Sequence, residues 1–193
     1  DTIRITVDNT PPVPTISAPT ATTTWHVGEV IAFAGGATDV QDGVLAAGAL
    51  SWSLVLHHCP DGCHTHAIQS FPGVAGGGFT APDHDLGFLE LRLTATDSGG
   101  LQGTTSVLLD PETVTLTFAS DPEKLVLVVG STAEETPFAR TVIVGAGTSV
   151  AAPSPQAGWK FTAWSDGGGA SHQVTAPGTP TDYVATFVPA CGG

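Results

Sequence analysis

The side chains of this chain best suited to chemistry are histidines. Four of the seven lie within ten residues of one another: His57, His58, His64 and His66. Imidazole nitrogens bind zinc and copper, so a local cluster of this kind is a candidate transition-metal site. Whether the rings meet depends on the strands that carry them.

A hairpin is predicted between these histidines. Pro60-Asp61-Gly62 is a turn sequence between two strand-like runs. In an unbulged hairpin Cys59 lies opposite Cys63, near enough for a disulfide that closes the turn. The resulting register pairs His58 with His64, His57 with Thr65 and Leu56 with His66.

Alternation along the two strands sorts their side chains into faces. One face ends in three imidazoles next to the turn, and His57 lies on the opposite face. From the first strand, Trp52, Leu54, Leu56 and His58 share that face, and His64, His66 and Ile68 share it from the second.

Three facing imidazoles predict a zinc or copper site formed by His58, His64 and His66. His84, in the loop Ala81-Pro82-Asp83-His84-Asp85, is the first choice for a fourth ligand. An open fourth position is compatible with catalysis, whereas four protein ligands indicate a structural ion. The alternative is a hydrogen-bonded histidine cap without metal.

The cysteines are not expected to be metal ligands. The face assignment turns the sulfurs of Cys59 and Cys63 away from the three histidines, which disfavours a zinc–thiolate site. Cys191, near the C-terminus, has no obvious partner in the sequence.

Composition predicts an all-β protein. The 24 glycines and 15 prolines make up about a fifth of the 193 residues and interrupt every potential helix, while short Val, Thr, Leu and Phe runs recur between turns. Hydrophobic residues make up 41% of the chain, which is enough for a core.

The charge of the chain limits the classes of binding partner that we expect. The formal net charge is −13, from 5 Lys and Arg against 18 Asp and Glu. Binding to nucleic acid is therefore not expected. Membrane insertion is not expected either, because no apolar run reaches the length of a membrane span. The scarcity of Lys together with abundant Thr, Gly and Pro is typical of secreted or cell-surface bacterial modules.

The chain is predicted to contain an N-terminal strand and Pro-rich connector (1–10), a β-sandwich (11–111) and a smaller β domain (112–193). Apolar alternation in residues 1–7 predicts an edge strand that could pair with another chain. In the strand before the boundary, Leu89, Leu91 and Leu93 are expected in the core, with Glu90, Arg92 and Thr94 facing water.

A pair of tryptophans and an aspartate-containing turn each allow two interpretations. Trp159 and Trp164 could form a platform for polysaccharide, although their odd spacing puts them on opposite faces of an unbulged strand, so one of the two is expected in the core. Asp39 and Asp42 lie in a turn that could hold calcium, but an Asx turn without metal is favoured. No catalytic residues and no organic cofactor are predicted.

Several strings in the first domain resemble a known family. ATD…DG…LSW, the hairpin HHCPDGCHTH, APDHD and LRLTATDSGGL are similar to the PKD-type, immunoglobulin-like domains attached to secreted bacterial sugar dehydrogenases that use pyrroloquinoline quinone. The stretch from TPFARTVIVGAG to YVATF resembles the small β repeat that follows such domains. The resemblance implies an immunoglobulin-like sandwich and an accessory region, because the quinone-binding propeller is absent here.

The sequence thus favours a secreted, non-catalytic accessory, binding or spacer module that binds polysaccharide or other domains of its parent protein, with a metal ion or histidine cap in its first domain. Two alternatives remain. One is a mononuclear copper or zinc enzyme built on the histidine cluster, and the other is a strand-exchanging subunit of a fibre or oligomer that self-associates through its N-terminal strand.

Overall fold

The computed structural model describes residues 8–58 and 63–190 of the chain. Those residues form sixteen β-strands and one short 3₁₀ turn, Ala47–Ala49, so the predicted all-β class is confirmed. No helix among them is long and apolar enough to cross a membrane. The predicted strand at residues 1–7, the turn at 60–62, Cys59 and Cys191 lie outside the described residues.

The chain divides into two compact units. The first comprises Asp1–Trp25, Glu29–Ala81 and Leu86–Pro111, and the second comprises His26–Gly28, Pro82–Asp85 and Glu112–Gly193. The boundary between the two units therefore falls between Pro111 and Glu112, the position that the sequence-based division also uses. Two short segments from the first part of the chain group with the second unit, which a contiguous division does not anticipate.

The first unit contains two four-stranded sheets. One has the order β1-β2-β3 with β6 also paired to β2, and the other has the order β5-β4-β7-β8. All of their pairs are antiparallel. The strands are β1 (Val13–Ala18), β2 (Val30–Asp39), β3 (Gly43–Val44), β4 (Leu50–His58), β5 (His64–Pro72), β6 (Gly76–Thr80), β7 (Gly87–Thr96) and β8 (Gln102–Leu109).

Alternating residues of both sheets fill the core of the first unit. Trp52 on β4 and Phe33 on β2 pack with their ring centroids 4.8 Å apart, which joins the two sheets face to face as in a β-sandwich. Trp25 is completely buried, and its indole Nε1 donates to the Leu109 carbonyl over 3.0 Å. The other residues of this unit with no exposed surface are Trp52, Leu54, Leu56, Leu89, Leu91, Leu93, Ala95 and Leu109.

The second unit also contains two four-stranded sheets, with the orders β12-β9-β16-β14 and β11-β10-β13-β15. β9 and β16 pair in parallel, whereas the other pairs are antiparallel. The strands are β9 (Thr113–Asp121), β10 (Val126–Val129), β11 (Thr132–Glu135), β12 (Phe138–Ile143), β13 (Gly147–Ala151), β14 (Trp159–Trp164), β15 (Ser171–Thr175) and β16 (Thr181–Pro189). Phe118 lies at the centre of the core, stacked between Phe138 and Tyr183.

Candidate metal centre

The hairpin of β4 and β5 has the predicted register next to its turn. His58 pairs with His64, His57 with Thr65 and Leu56 with His66. β4 is held firmly, because Trp52, Leu54 and Leu56 on one face have no exposed surface. The buried end of that face carries His58 into position beside the edge strand β5.

The structure brings His58, His64 and His66 together. One ring nitrogen from each lies within 4.8 Å of the others. The ring centroids are 5.0 Å apart for His58 and His64, 4.8 Å for His64 and His66, and 6.4 Å for His58 and His66. These separations follow from cross-strand pairing, which places successive same-face residues of two strands side by side.

The separation of one pair of ring nitrogens is compatible with a hydrogen bond between the two rings and also with a shared metal ion. His58 Nδ1 lies 3.4 Å from His64 Nε2. Two nitrogens bound to one tetrahedral zinc at about 2.0–2.1 Å are about 3.3 Å apart. Little movement of these two rings would therefore bring both within bonding distance of one ion.

Burial differs among the three histidines. His58 is only 7% exposed, whereas His64 is exposed on the edge strand. The site thus has a side anchored in the core and a side open to solvent.

His57 belongs to a different group on the other face of β4, as predicted from alternation. Its Nε2 lies 2.9 Å from Glu90 Oε2, and its ring stacks on Phe88 with centroids 4.6 Å apart and an interplanar angle of 6°. Arg92 Nη2 donates to both Glu90 oxygens over 3.0 Å.

The prediction that the Glu90 side chain faces water is wrong, because Glu90 is only 7% exposed. Burial raises the pKa of its carboxyl, but hydrogen bonds from His57, Ser106 and Arg92 and the charge of Arg92 outweigh burial and leave the pKa below its ordinary value. Alternation placed Glu90 on the outer face correctly. It could not show that the neighbouring side chains cover the carboxylate on that face.

Ile68 departs from the predicted arrangement. Val55 pairs with Ala67 and Leu54 with Gln69, so a register shift leaves Ile68 without a place in the alternation. Its side chain is 37% exposed and does not extend the apolar part of the histidine face. The expectation held only as far as the strands stayed unbulged.

His84 lies in Pro82–Asp85, the short segment that groups with the second unit. It stays a predicted fourth ligand. The predicted disulfide between Cys59 and Cys63 also stays a prediction, since Cys59 lies outside the described residues.

The tryptophan platform needs correction. A register shift between Phe161 and Ala163 inserts one residue into β14, so Trp159 and Trp164 do not alternate as an unbulged strand would require. Trp164 is 3% exposed and belongs to the core, and partly buried Trp159 packs against the same core. Trp164 cannot stack on a sugar, and the prediction now rests on Trp159 alone.

The turn that contains Asp39 and Asp42 makes a network of hydrogen bonds within the protein. Asp39 Oδ1 accepts from the backbone N–H groups of Gln41 and Asp42, as in an Asx turn. The Asp42 carboxylate accepts the Ser98 N–H over 2.7 Å and the Ser98 hydroxyl over 2.8 Å. These hydrogen bonds join two turns of the first unit.

Sequence reasoning missed a second histidine group, in the second unit. His172 Nε2 lies 2.9 Å from Asp166 Oδ2, and its Nδ1 lies 2.9 Å from the Gly169 carbonyl oxygen. Asp166-Gly167-Gly168 is a turn-type sequence, but nothing in it indicates that a histidine of the next strand folds back onto it.

Comparison with known proteins finds no matching family model and no match among curated proteins.

Proposed function

We propose that the chain is a secreted, non-catalytic accessory or spacer module that binds one zinc or copper ion through His58, His64 and His66. The observation that carries the proposal is the convergence of three imidazoles, with two of their nitrogens at the separation expected in a metal's coordination shell. In this role the ion links the buried end of β4 to the edge strand β5.

The ligand set favours borderline transition metals. Neutral imidazole nitrogens bind zinc and copper well, whereas calcium and magnesium prefer oxygen ligands. The net charge of −13 attracts cations to the molecule in general, which assists metal capture but does not select the ion.

A structural role for the metal follows from its position. β5 is an edge strand of its sheet, and most of its residues are exposed. It has few core contacts of its own, so a metal held by His58 on one strand and by His64 and His66 on the other would fasten it to β4. The acidic, Lys-poor composition and the succession of two β units support an extracellular accessory module.

Metal analysis of the purified, untagged chain tests the proposal. The chain is stripped with chelator, incubated at neutral pH with zinc or copper, desalted and analysed for bound metal. We expect about one equivalent for the wild type and none for the His64→Ala/His66→Ala double variant.

Matched controls separate the site from its surroundings. Thr65→Ala changes the residue between the two ligands on the opposite face of β5, and His57→Gln removes an imidazole from the opposite face of β4. Both variants should keep the metal. The proposal fails if the wild type binds none, or if the double variant still binds one equivalent.

A further inference from the structure

His172 on β15 has an acceptor at each of its two ring nitrogens. Nε2 faces a carboxylate oxygen of Asp166, and Nδ1 faces the carbonyl oxygen of Gly169, both at 2.9 Å. Neither oxygen can donate a proton when the carboxyl group is ionised. A neutral imidazole carries one N–H and can satisfy only one of them, whereas the imidazolium cation satisfies both.

Asp166 is ionised in this arrangement. Burial raises the pKa of its carboxyl, but a hydrogen bond from the Gly168 N–H and the hydrogen bond and charge of His172 lower it further, to below its ordinary value of 3.8. The Gly168 N–H donates to Asp166 Oδ1 over 3.0 Å, so the two carboxylate oxygens have different donors.

Asp166 is the charged group that contacts the ring, and Trp164 on β14 meets it edge-on with centroids 5.8 Å apart. On the neighbouring strand β13, Val150 pairs with His172 and is flanked by Ser149 and Ala151, which carry no charge. Tyr183 is the other titratable group affected by Asp166, and its pKa is raised by burial and then by that charge.

We propose that His172 is held as an imidazolium cation that fastens the turn between β14 and β15, and that this turn loosens as rising pH removes the second proton. The cation donates to both ends of the turn, to Asp166 at its start and to Gly169 near its end. Loss of one proton breaks one of these hydrogen bonds and sets a lone pair against an oxygen.

Gly168 allows the His172 ring to lie against the turn between β14 and β15. A Cβ atom at this position would collide with the His172 ring, so only glycine lets the imidazole lie against the turn. This offers a way to displace the ring without removing the titratable group. Gly168→Ala should therefore abolish the pH response while His172 is still present.

Nitrogen NMR of the histidine rings in the full chain, free of metal, tests the charge state directly. We expect both His172 nitrogens to carry protons at a pH at which the ring of Asp166→Asn carries one. In Asp166→Asn, which has a neutral partner of similar shape, the ring should be mainly neutral at that pH. The proposal is overturned if the wild-type ring already carries a single proton there.

Amide hydrogen exchange tests whether the turn between β14 and β15 loosens as pH rises. After correction for the intrinsic effect of pH, the protection of the Gly167 and Gly168 amides should fall about tenfold between pH 5.5 and 8.5, the effect of losing one hydrogen bond to a charged group. The Gly130 amide, which donates to the Ser149 carbonyl on β13 and is not part of the turn, is the internal reference. The same fall in His172→Gln would overturn the proposal.

Discussion

His57 Nε2 lies 2.9 Å from Glu90 Oε2, on the face of β4 and β7 opposite to the sandwich core. The two residues are on neighbouring strands, and the carboxylate is nearly buried between His57 and Arg92. A buried charge of this kind is stable only while its partners are present, so it makes a testable contribution to the stability of the first unit.

Glu90→Gln should lower the free energy of unfolding by about 1–3 kcal/mol at pH 7, because the donors on His57, Ser106 and Arg92 then face an uncharged amide. Urea unfolding of the variant and the wild type measures the loss. Glu123→Gln, at an exposed glutamate, is the control and should change stability by less than about 0.5 kcal/mol. Equal stability of the wild type and Glu90→Gln would contradict the prediction.

The same carboxylate predicts a response to acid. Its pKa is lowered in the folded chain relative to the ordinary value of 4.5, so the unfolded chain binds the proton more readily. The stabilisation is fully present above that ordinary value and is lost as pH falls through the lower folded value. The wild type should therefore lose its stability advantage over Glu90→Gln in acid, as measured by urea unfolding at stepwise lower pH.

Gly103→Ala should destabilise the first unit by about 1–3 kcal/mol, because the new methyl group would collide with the Pro12 backbone carbonyl. Thermal and urea unfolding measure the change. Gly48→Ala is the matched control, since no atom lies within 4 Å of its Cβ position and its φ is not positive. That control should leave stability unchanged or raise it by up to about 1 kcal/mol.

Trp164→Ala should cost about 3–5 kcal/mol, the typical cost of truncating a buried aromatic side chain. Trp159→Ala should cost less, because its ring is partly exposed. Urea unfolding compares the two variants, and Trp164→Phe replaces Trp164→Ala if the latter does not fold. A larger loss at Trp159 than at Trp164 would contradict the placement of Trp164 in the core and of Trp159 at its margin.

Metal bound at the histidine cluster should be released in mild acid. Metal and proton compete for the same imidazole nitrogens, and free imidazole is protonated below about pH 6.5. Bound zinc or copper, measured after desalting at a series of pH values, should fall from about one equivalent at pH 7.5 to little at pH 5. Retention of the metal at pH 5 would contradict ligation by histidines alone.

Sequence reasoning reached the histidine cluster because its determinants are local. A turn sequence and strict alternation are sufficient to pair His58 with His64 and to separate His57 from them, as long as no residue is inserted. Where a residue is inserted, at Ile68 and within β14, the same reasoning failed, because one extra residue exchanges the faces for everything beyond it.

Composition and periodicity by themselves determined that the chain is all-β, that its strands are short and that three imidazoles share one face, since each of these depends on neighbours in sequence. Only the tertiary structure decided that Glu90 is covered, that Trp164 is in the core and that His172 folds back onto Asp166. Burial and long-range hydrogen bonds depend on which side chains of other strands lie nearby, and strand pairing across many residues sets that proximity.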